Sequence, residues 1–332
     1  MNTIRWGIIG CGNVTEVKSG PGFQKAEGSA LVAVMRRDGE KARDYAERHG
    51  VPRWYDDADK LIHDPEVDAV YVATPPSTHA EYAIRAAGAG KPVYVEKPMA
   101  RDAGECRRMI AACRAAGVPL FVAYYRRALP RFLKVKELLA AGAIGAPRCV
   151  TVTQYYAPGD YDPAHLPWRV VPEIAGAGIF LDLASHTLDI LDFLLGPVAR
   201  AQGAAQNQAG LYPAEDCVAA ALTFESGALG TGIWCFTAYN EDSVDTNEIV
   251  GSKGKLRFST FGTEPIELAT AAGVSLHSAP TPPHIQQPLI QTIVNDLNGI
   301  GSCPSTGDTA IRTSEVMDAI LADWRAKVGV NW

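Results

Sequence analysis

The sequence predicts a two-domain protein: a parallel, doubly wound α/β domain, then an α+β domain with a large, mainly antiparallel open sheet. Three observations carry this. In the first third, short apolar runs alternate with amphipathic segments of helical spacing, the grammar of βαβ units. A glycine turn, Gly10-Cys11-Gly12-Asn13-Val14-Thr15, directly follows the first apolar run. After about residue 123 the alternation stops, and short strand-like pieces between Gly and Ser turns take over.

In chain order, Trp6–Ile9, Ala30–Met35, Ala69–Ala73, Val93–Val95 and Leu120–Ala123 read as strands. Between them Glu40–His49, Thr78–Ala89 and Ala103–Ala116 have the period of helices. These make a first domain over 1–123. The second, 124–332, opens with a helix at Arg131–Ala140 and a half-buried strand at Arg148–Tyr156, whose side chains alternate. A helix around Gly178–Leu195 precedes strands at Cys217–Phe224, Leu229–Phe236, Asn247–Val250, Lys255–Phe258 and Ile266–Leu268. The turns Glu225-Ser226-Gly227 and Gly251-Ser252-Lys253-Gly254 are short enough for hairpins, hence the antiparallel sheet. Ala201–Gly210 reads as a low-complexity patch, and helices near Pro288–Asn298 and Thr309–Arg325 close the chain.

A chain of 332 residues suits two domains. Its net charge of −6, from 31 basic and 37 acidic residues, argues against nucleic acid or an anionic membrane as partner. No apolar stretch long enough to span a membrane and no basic leader stand out, so a soluble cytoplasmic protein is expected. Seven cysteines, an odd count without CxxC spacing, suit neither a zinc site nor a disulfide framework and read as free thiols.

In a βα turn the first glycine permits the tight bend, and the second lets the backbone approach a pyrophosphate at the helix start. Gly10 and Gly12 fill these places, with Asn13 and Val14 beginning the helix. Thr15 stands where a third glycine would, which asks for wider packing of helix on strand. The second strand ends Met35-Arg36-Arg37-Asp38, where the adenosine ribose would lie. Two guanidiniums there suit a 2′-phosphate, so NADP(H) is preferred. Asp38 leaves NAD(H) open, and both arginines as solvated loop charges is the plainer alternative.

Further on stand Ala73-Thr74-Pro75-Pro76-Ser77-Thr78-His79 and Gly90-Lys91-Pro92-Val93-Tyr94-Val95-Glu96-Lys97-Pro98. Later come Trp168-Arg169 and the run Gly176-Ala177-Gly178-Ile179-Phe180-Leu181-Asp182-Leu183-Ala184-Ser185-His186. With these, almost the whole chain resembles the Gfo/Idh/MocA oxidoreductases, the family of glucose–fructose oxidoreductase and inositol dehydrogenase. The resemblance implies an N-terminal Rossmann domain binding NAD(P). It makes Lys97 the active-site lysine, Glu96 a neighbour of the nicotinamide ribose, and Pro98 a proline that often forms a cis peptide. It places Thr74, Pro75 and His79 at the cofactor, brings Trp168 and Arg169 toward it, and makes His186 the acid/base. Ala177 departs from a frequent Gly-Gly-Gly, which puts loop shape in question.

Physical reasons stand beside the resemblance. An ammonium at the carboxyl end of a parallel strand can stabilise the alkoxide of a carbinol losing hydride. Asp182 and His186, four apart, share one helix face; the imidazole can exchange the hydroxyl proton while the carboxylate orients it or binds a second hydroxyl. A helix cap with a structural histidine is the alternative. No further ligands cluster at useful spacing, so no metal is expected. Lys97, Asp182, His186 and, where the chain leaves the first domain, Tyr124 are the candidate substrate contacts. His165 reads as a loop histidine.

The expected function is hydride transfer between NADP(H) and a secondary alcohol or ketone of a sugar, polyol or related compound. The expected assembly is a homodimer or homotetramer formed through the C-terminal sheet. Two alternatives stand: an NAD-dependent glycoside hydrolase of the same architecture, and a non-catalytic cofactor sensor.

Overall fold

The structure, a computed structural model, describes residues 1–239 and 243–329. The chain divides into two compact units: Met1–Leu129 with Pro282–Ile311, and Pro130–Thr281 with Arg312–Trp332. The first division falls at 129/130, where the expectation was 123/124, and the second half is not one continuous unit. Residues 282–311 return to the first unit, because the helix they carry buries Leu289, Ile290, Ile293 and Val294 there.

In the first unit, strands β1 (Ile4–Ile9), β2 (Ser29–Met35), β3 (Arg53–Tyr55), β4 (Ala69–Val72), β5 (Val93–Val95) and β6 (Leu120–Val122) form one sheet. Its order is β3-β2-β1-β4-β5-β6, every pair parallel. Helices α1 (Asn13–Val17), α2 (Gly20–Lys25), α3 (Gly39–His49), α4 (Ala58–Ile62), α5 (His79–Gly88) and α6 (Ala103–Ala115) connect the strands. Alternating strand residues feed two cores, one on each face of the sheet. Ile9, Met35, Val70, Val72 and Val95 belong to one, Trp6, Ile8, Val34, Tyr71 and Tyr94 to the other. That double burial explains why these strands read as continuous apolar runs. β3, only three residues long, left no such signal.

The second unit carries α7 (Pro130–Ala140), β7 (Pro147–Tyr155), α8 (Pro172–Ala175), α9 (Ile179–Leu195) and β8 (Val198–Gln206). β9 (Cys217–Phe224), β10 (Leu229–Cys235), β11 (Val244–Gly251), β12 (Gly254–Phe258), β13 (Ile266–Thr270) and β14 (Gly273–His277) follow. Sheet order is β14-β13-β12-β11-β7-β10-β9-β8, with only β7 and β10 parallel. The expected low-complexity patch at Ala201–Gly210 is largely strand β8, paired along its length with β9. Helix α10 (Gln287–Leu297) lies in the first unit, and the division at 311/312 falls within α11 (Gly307–Val328). The stretch Pro172–Leu195 has the length and hydropathy of a membrane span, but 78% of its apolar window is buried inside the protein, as in a core helix.

Candidate active site

The order of the first sheet creates a switch point between β1 and β4, where the chain leaves in opposite directions and ligands bind in such folds. Gly10 follows β1 with φ +91°, and a Cβ on it would lie 2.7 Å from Thr74 Cγ2 in the loop after β4. Only glycine fits that turn. Gly12 is different: a Cβ there would come no closer than 3.9 Å to another atom, so its surface is open. Thr15, expected to ask for wider packing, takes part in the turn itself. It is fully buried, and its hydroxyl donates to Gly12 O at 2.8 Å while accepting from the Gly12 amide at 3.0 Å. Tyr45 Oη donates to Thr15 O at 2.8 Å and holds the far side. The third position of the glycine motif is here a clasp that closes the turn.

At the end of β2, Arg36 Nη1 donates to Cys11 O in this turn at 3.4 Å, and Arg37 is exposed. Asp38 caps α3, accepting from the Lys41 amide at 3.2 Å and pairing with its ammonium at 2.9 Å.

After β5, Glu96 is buried and held by three donors. Tyr71 Oη (2.5 Å) and Gln286 Nε2 (2.7 Å) reach its Oε1, and the Lys97 amide (3.1 Å) reaches Oε2. Burial and the facing carboxylate push the Tyr71 phenol well above its ordinary value, so it remains a donor. Gln286, absent from the sequence reading, sits just before α10 and also accepts from Tyr94 Oη at 3.1 Å. Lys97 is half-buried, and its peptide bond to Pro98 is cis.

Two expected contacts are corrected. His79, expected at the cofactor ribose, has no exposed surface. Its Nε2 lies 2.7 Å from Thr74 O, and its Nδ1 lies 3.1 Å from Pro98 O and 3.2 Å from Met99 O. Burial lowers its pKa, and the carbonyls pull the other way. It straps the loop after β4 to the loop after β5. Tyr124, expected at a cleft mouth, is fully buried in the core with Val95, Met99 and Val122, because the chain after β6 turns its ring inward.

In the second unit, α9 sets Asp182 in its first turn and His186 one turn on, both little exposed. Arg169 Nε donates to Asp182 Oδ2 at 2.9 Å, and its guanidinium lies 4.4 Å from the Trp168 ring centre. Such a half-exposed pair contributes about 0–1 kcal/mol, so its weight is in orientation. The Phe261 ring stands edge-on to His186 at 5.9 Å. That phenylalanine is placed by Asp245, whose carboxylate accepts from the amides of Thr260 (3.1 Å), Phe261 (2.5 Å) and Gly262 (3.3 Å). Gln154 Nε2 joins Asp245 to Thr187, the residue after His186, at 3.1 and 2.9 Å. A cavity of about 680 Å³ opens here, lined by Tyr156, Asp245, Arg257, Phe261, Glu264 and Glu267 among others. No sequence motif announced these partners. His165 is an exposed loop residue paired with Asp162 at 2.9 Å. Among the described residues no group of three or more His, Cys, Asp or Glu could hold a metal.

The expected residues therefore fall into two sets. Gly10, Gly12, Asn13, Val14, Arg36, Arg37, Thr74, Pro75, His79, Glu96 and Lys97 belong to the first unit, and Trp168, Arg169, Asp182 and His186 to the second.

Comparison with known proteins bears on both units. The model of the Gfo/Idh/MocA oxidoreductase family with an NAD-binding Rossmann fold matches residues 4–124, and that of the family's C-terminal domain matches 132–257. Oxidoreductase P35 of Formosa agariphila is 38% identical over 95% of this chain and 97% of its own. Myo-inositol 2-dehydrogenase of Thermotoga maritima is 32% identical over 76% of this chain and 74% of its own. The WlbA dehydrogenase of Bordetella pertussis, solved with NADH and UDP-GlcNAcA, superposes with a TM-score of 0.85 at 26% identity, over 99% of this chain and 97% of that one. The chain belongs to the Gfo/Idh/MocA family and is an oxidoreductase with an NAD-binding Rossmann unit.

Proposed function

We propose that the enzyme moves hydride between a nicotinamide dinucleotide and a secondary alcohol or ketone of a sugar, polyol or related compound. The observation that carries this reading is the Glu96–Lys97 pair at the carboxyl end of β5: a buried carboxylate held by three donors, next to a half-buried ammonium. The open surface at Gly12 leaves room for a pyrophosphate against the turn, so the residues present fit the dinucleotide. When bound, its nicotinamide supplies the hydride acceptor or donor.

Lys97 holds the carbinol oxygen and stabilises the charge that grows on it as hydride leaves. Glu96, tied down on both oxygens, orients the ribose side. His186 takes the hydroxyl proton in oxidation and returns it in reduction. Asp182, steadied by Arg169, binds a further hydroxyl. The finer assignment of the cofactor is NADP(H), for which Arg36 and Arg37 offer guanidiniums while Asp38 is committed to capping α3. The open face of the second sheet, with Thr151, Ala219, Ala221 and Thr231 exposed, would join copies into a homodimer or homotetramer.

The test is turnover of a polyol and aldose panel with NAD and NADP, followed by the near-ultraviolet absorbance of the reduced nicotinamide. Lys97→Met is expected to lower kcat by roughly a hundredfold or more while dinucleotide affinity stays nearly constant. A proportionate loss of binding would remove Lys97 from the chemistry. Release of an aglycone without net absorbance change would replace the reading with a hydrolase.

A further inference from the structure

The start of α9 is held by a residue that belongs to none of the sequence motifs. Glu215, two residues before β9, has no exposed surface, and its Oε1 accepts from the Gly178 amide at 2.8 Å. Gly178 is the N-cap of the helix that carries Asp182 and His186. The backbones also meet: a Cβ on Gly178 would fall 2.7 Å from Glu215 O and 2.9 Å from Ala214 Cβ. This explains the glycine immediately before α9 by its partner. The second carboxyl oxygen, Oε2, is buried with no hydrogen-bond partner among the described residues. A carboxyl buried with one oxygen unpartnered is costly, and packing alone would be served better by an apolar side chain.

We propose that Glu215 is a positioning residue for Asp182 and His186, acting through the Gly178 amide; this rests on the roles given to those two residues above. The groups facing it are Asp216 beside it, Tyr212, and Arg325 of α11. Arg325 braces the same helix start, donating to Gly176 O at 3.3 Å while paired with Asp318 at 2.6 Å. Burial pushes the Glu215 carboxyl up to about 7, with the Gly178 amide and Arg325 pulling it down. With the folded value above the ordinary 4.5, the group's stabilisation is fully present below that value and is lost as pH rises toward 7.

Two variants separate the parts. Glu215→Gln keeps an acceptor for Gly178 and removes the ionisation; Glu215→Leu keeps bulk and removes the acceptor. In the leucine variant, amide exchange at residues 178–182 is expected to quicken about tenfold or more. Its kcat is expected to fall roughly tenfold or more with the KM for the dinucleotide unchanged, and glutamine should restore both. Wild type and Glu215→Gln should melt together near about pH 5, with the glutamine variant several degrees higher near about pH 8. The proposal is overturned if the leucine variant exchanges and turns over like wild type. It also fails if kcat and dinucleotide KM deteriorate together, or if the two melting curves keep a constant offset at every pH. If wild type turns over no carbinol or carbonyl compound, the functional reading fails, while exchange and melting still decide whether Glu215 holds the helix.

Discussion

Arg36 and Arg37 are neighbours in sequence with different surroundings. Arg36 folds back on the glycine turn through Cys11 O, whereas Arg37 is exposed and lines a small cleft with Asp56, Lys60 and Arg85. The lysine and the second arginine are already paired, with Asp56 and Asp59. Arg37→Ala should therefore weaken NADP by about tenfold or more and NAD hardly at all. Arg36→Ala should weaken both, because it disturbs the turn. Fluorescence titration of each variant with each dinucleotide checks this; equal losses in Arg37→Ala would mean that the loop reads no phosphate. His79 shows the limit of reading residues singly. Its place after Thr74-Pro75 suggested a ribose contact, but both ring nitrogens face main-chain carbonyls. A neutral imidazole carries only one N–H, so His79 works by joining two loops.

At the scale of elements, α9 was visible from its spacing, and the side chains it presents followed from four-residue periodicity. What anchors it was not visible, since Glu215 is 37 residues away from Gly178. Gly178→Ala tests that anchor from the other side. The new methyl must displace Glu215 O or Ala214, so about 1–3 kcal/mol of overpacking is expected. Thermal unfolding should show a lowered Tm; an unchanged one would mean that the strand lead yields freely. Strand β8, Val-Ala-Arg-Ala-Gln-Gly-Ala-Ala-Gln, has little strand propensity of its own. It is a strand because β9 pairs with it from Val198 to Gln206, which no window of local sequence contains.

At the scale of the molecule, the return of 282–311 to the first unit matters most. Helix α10 completes the core around Trp6, Ile8 and Phe23, and Gln286 at its start reaches Glu96. The cofactor unit is therefore built from two stretches far apart in the chain, 1–129 and 282–311. Ile290→Ala, a change in the last fifth of the sequence, should destabilise the first unit by about 2–5 kcal/mol. Chemical denaturation with and without dinucleotide would measure it. If dinucleotide no longer protects against unfolding as in wild type, the helix also supports the binding turn; a stability loss well below that range would show that the core around Trp6 closes without it.

The sequence by itself determined the class of each unit, the glycine turn, the strand ends that carry Arg36, Arg37, Glu96 and Lys97, and the helix that carries Asp182 and His186. These rest on periodicity and on turns only a few residues long, so each is written within one short segment. The tertiary structure alone decided that Thr15 closes the turn, that His79 and Tyr124 are buried, that Gln286 reaches Glu96, that Phe261 stands against His186 and that Glu215 accepts from the Gly178 amide. Each of those outcomes depends on what fills the space beside a side chain, and that neighbour can stand 3 residues away, as Gly12 does from Thr15, or 190, as Gln286 does from Glu96.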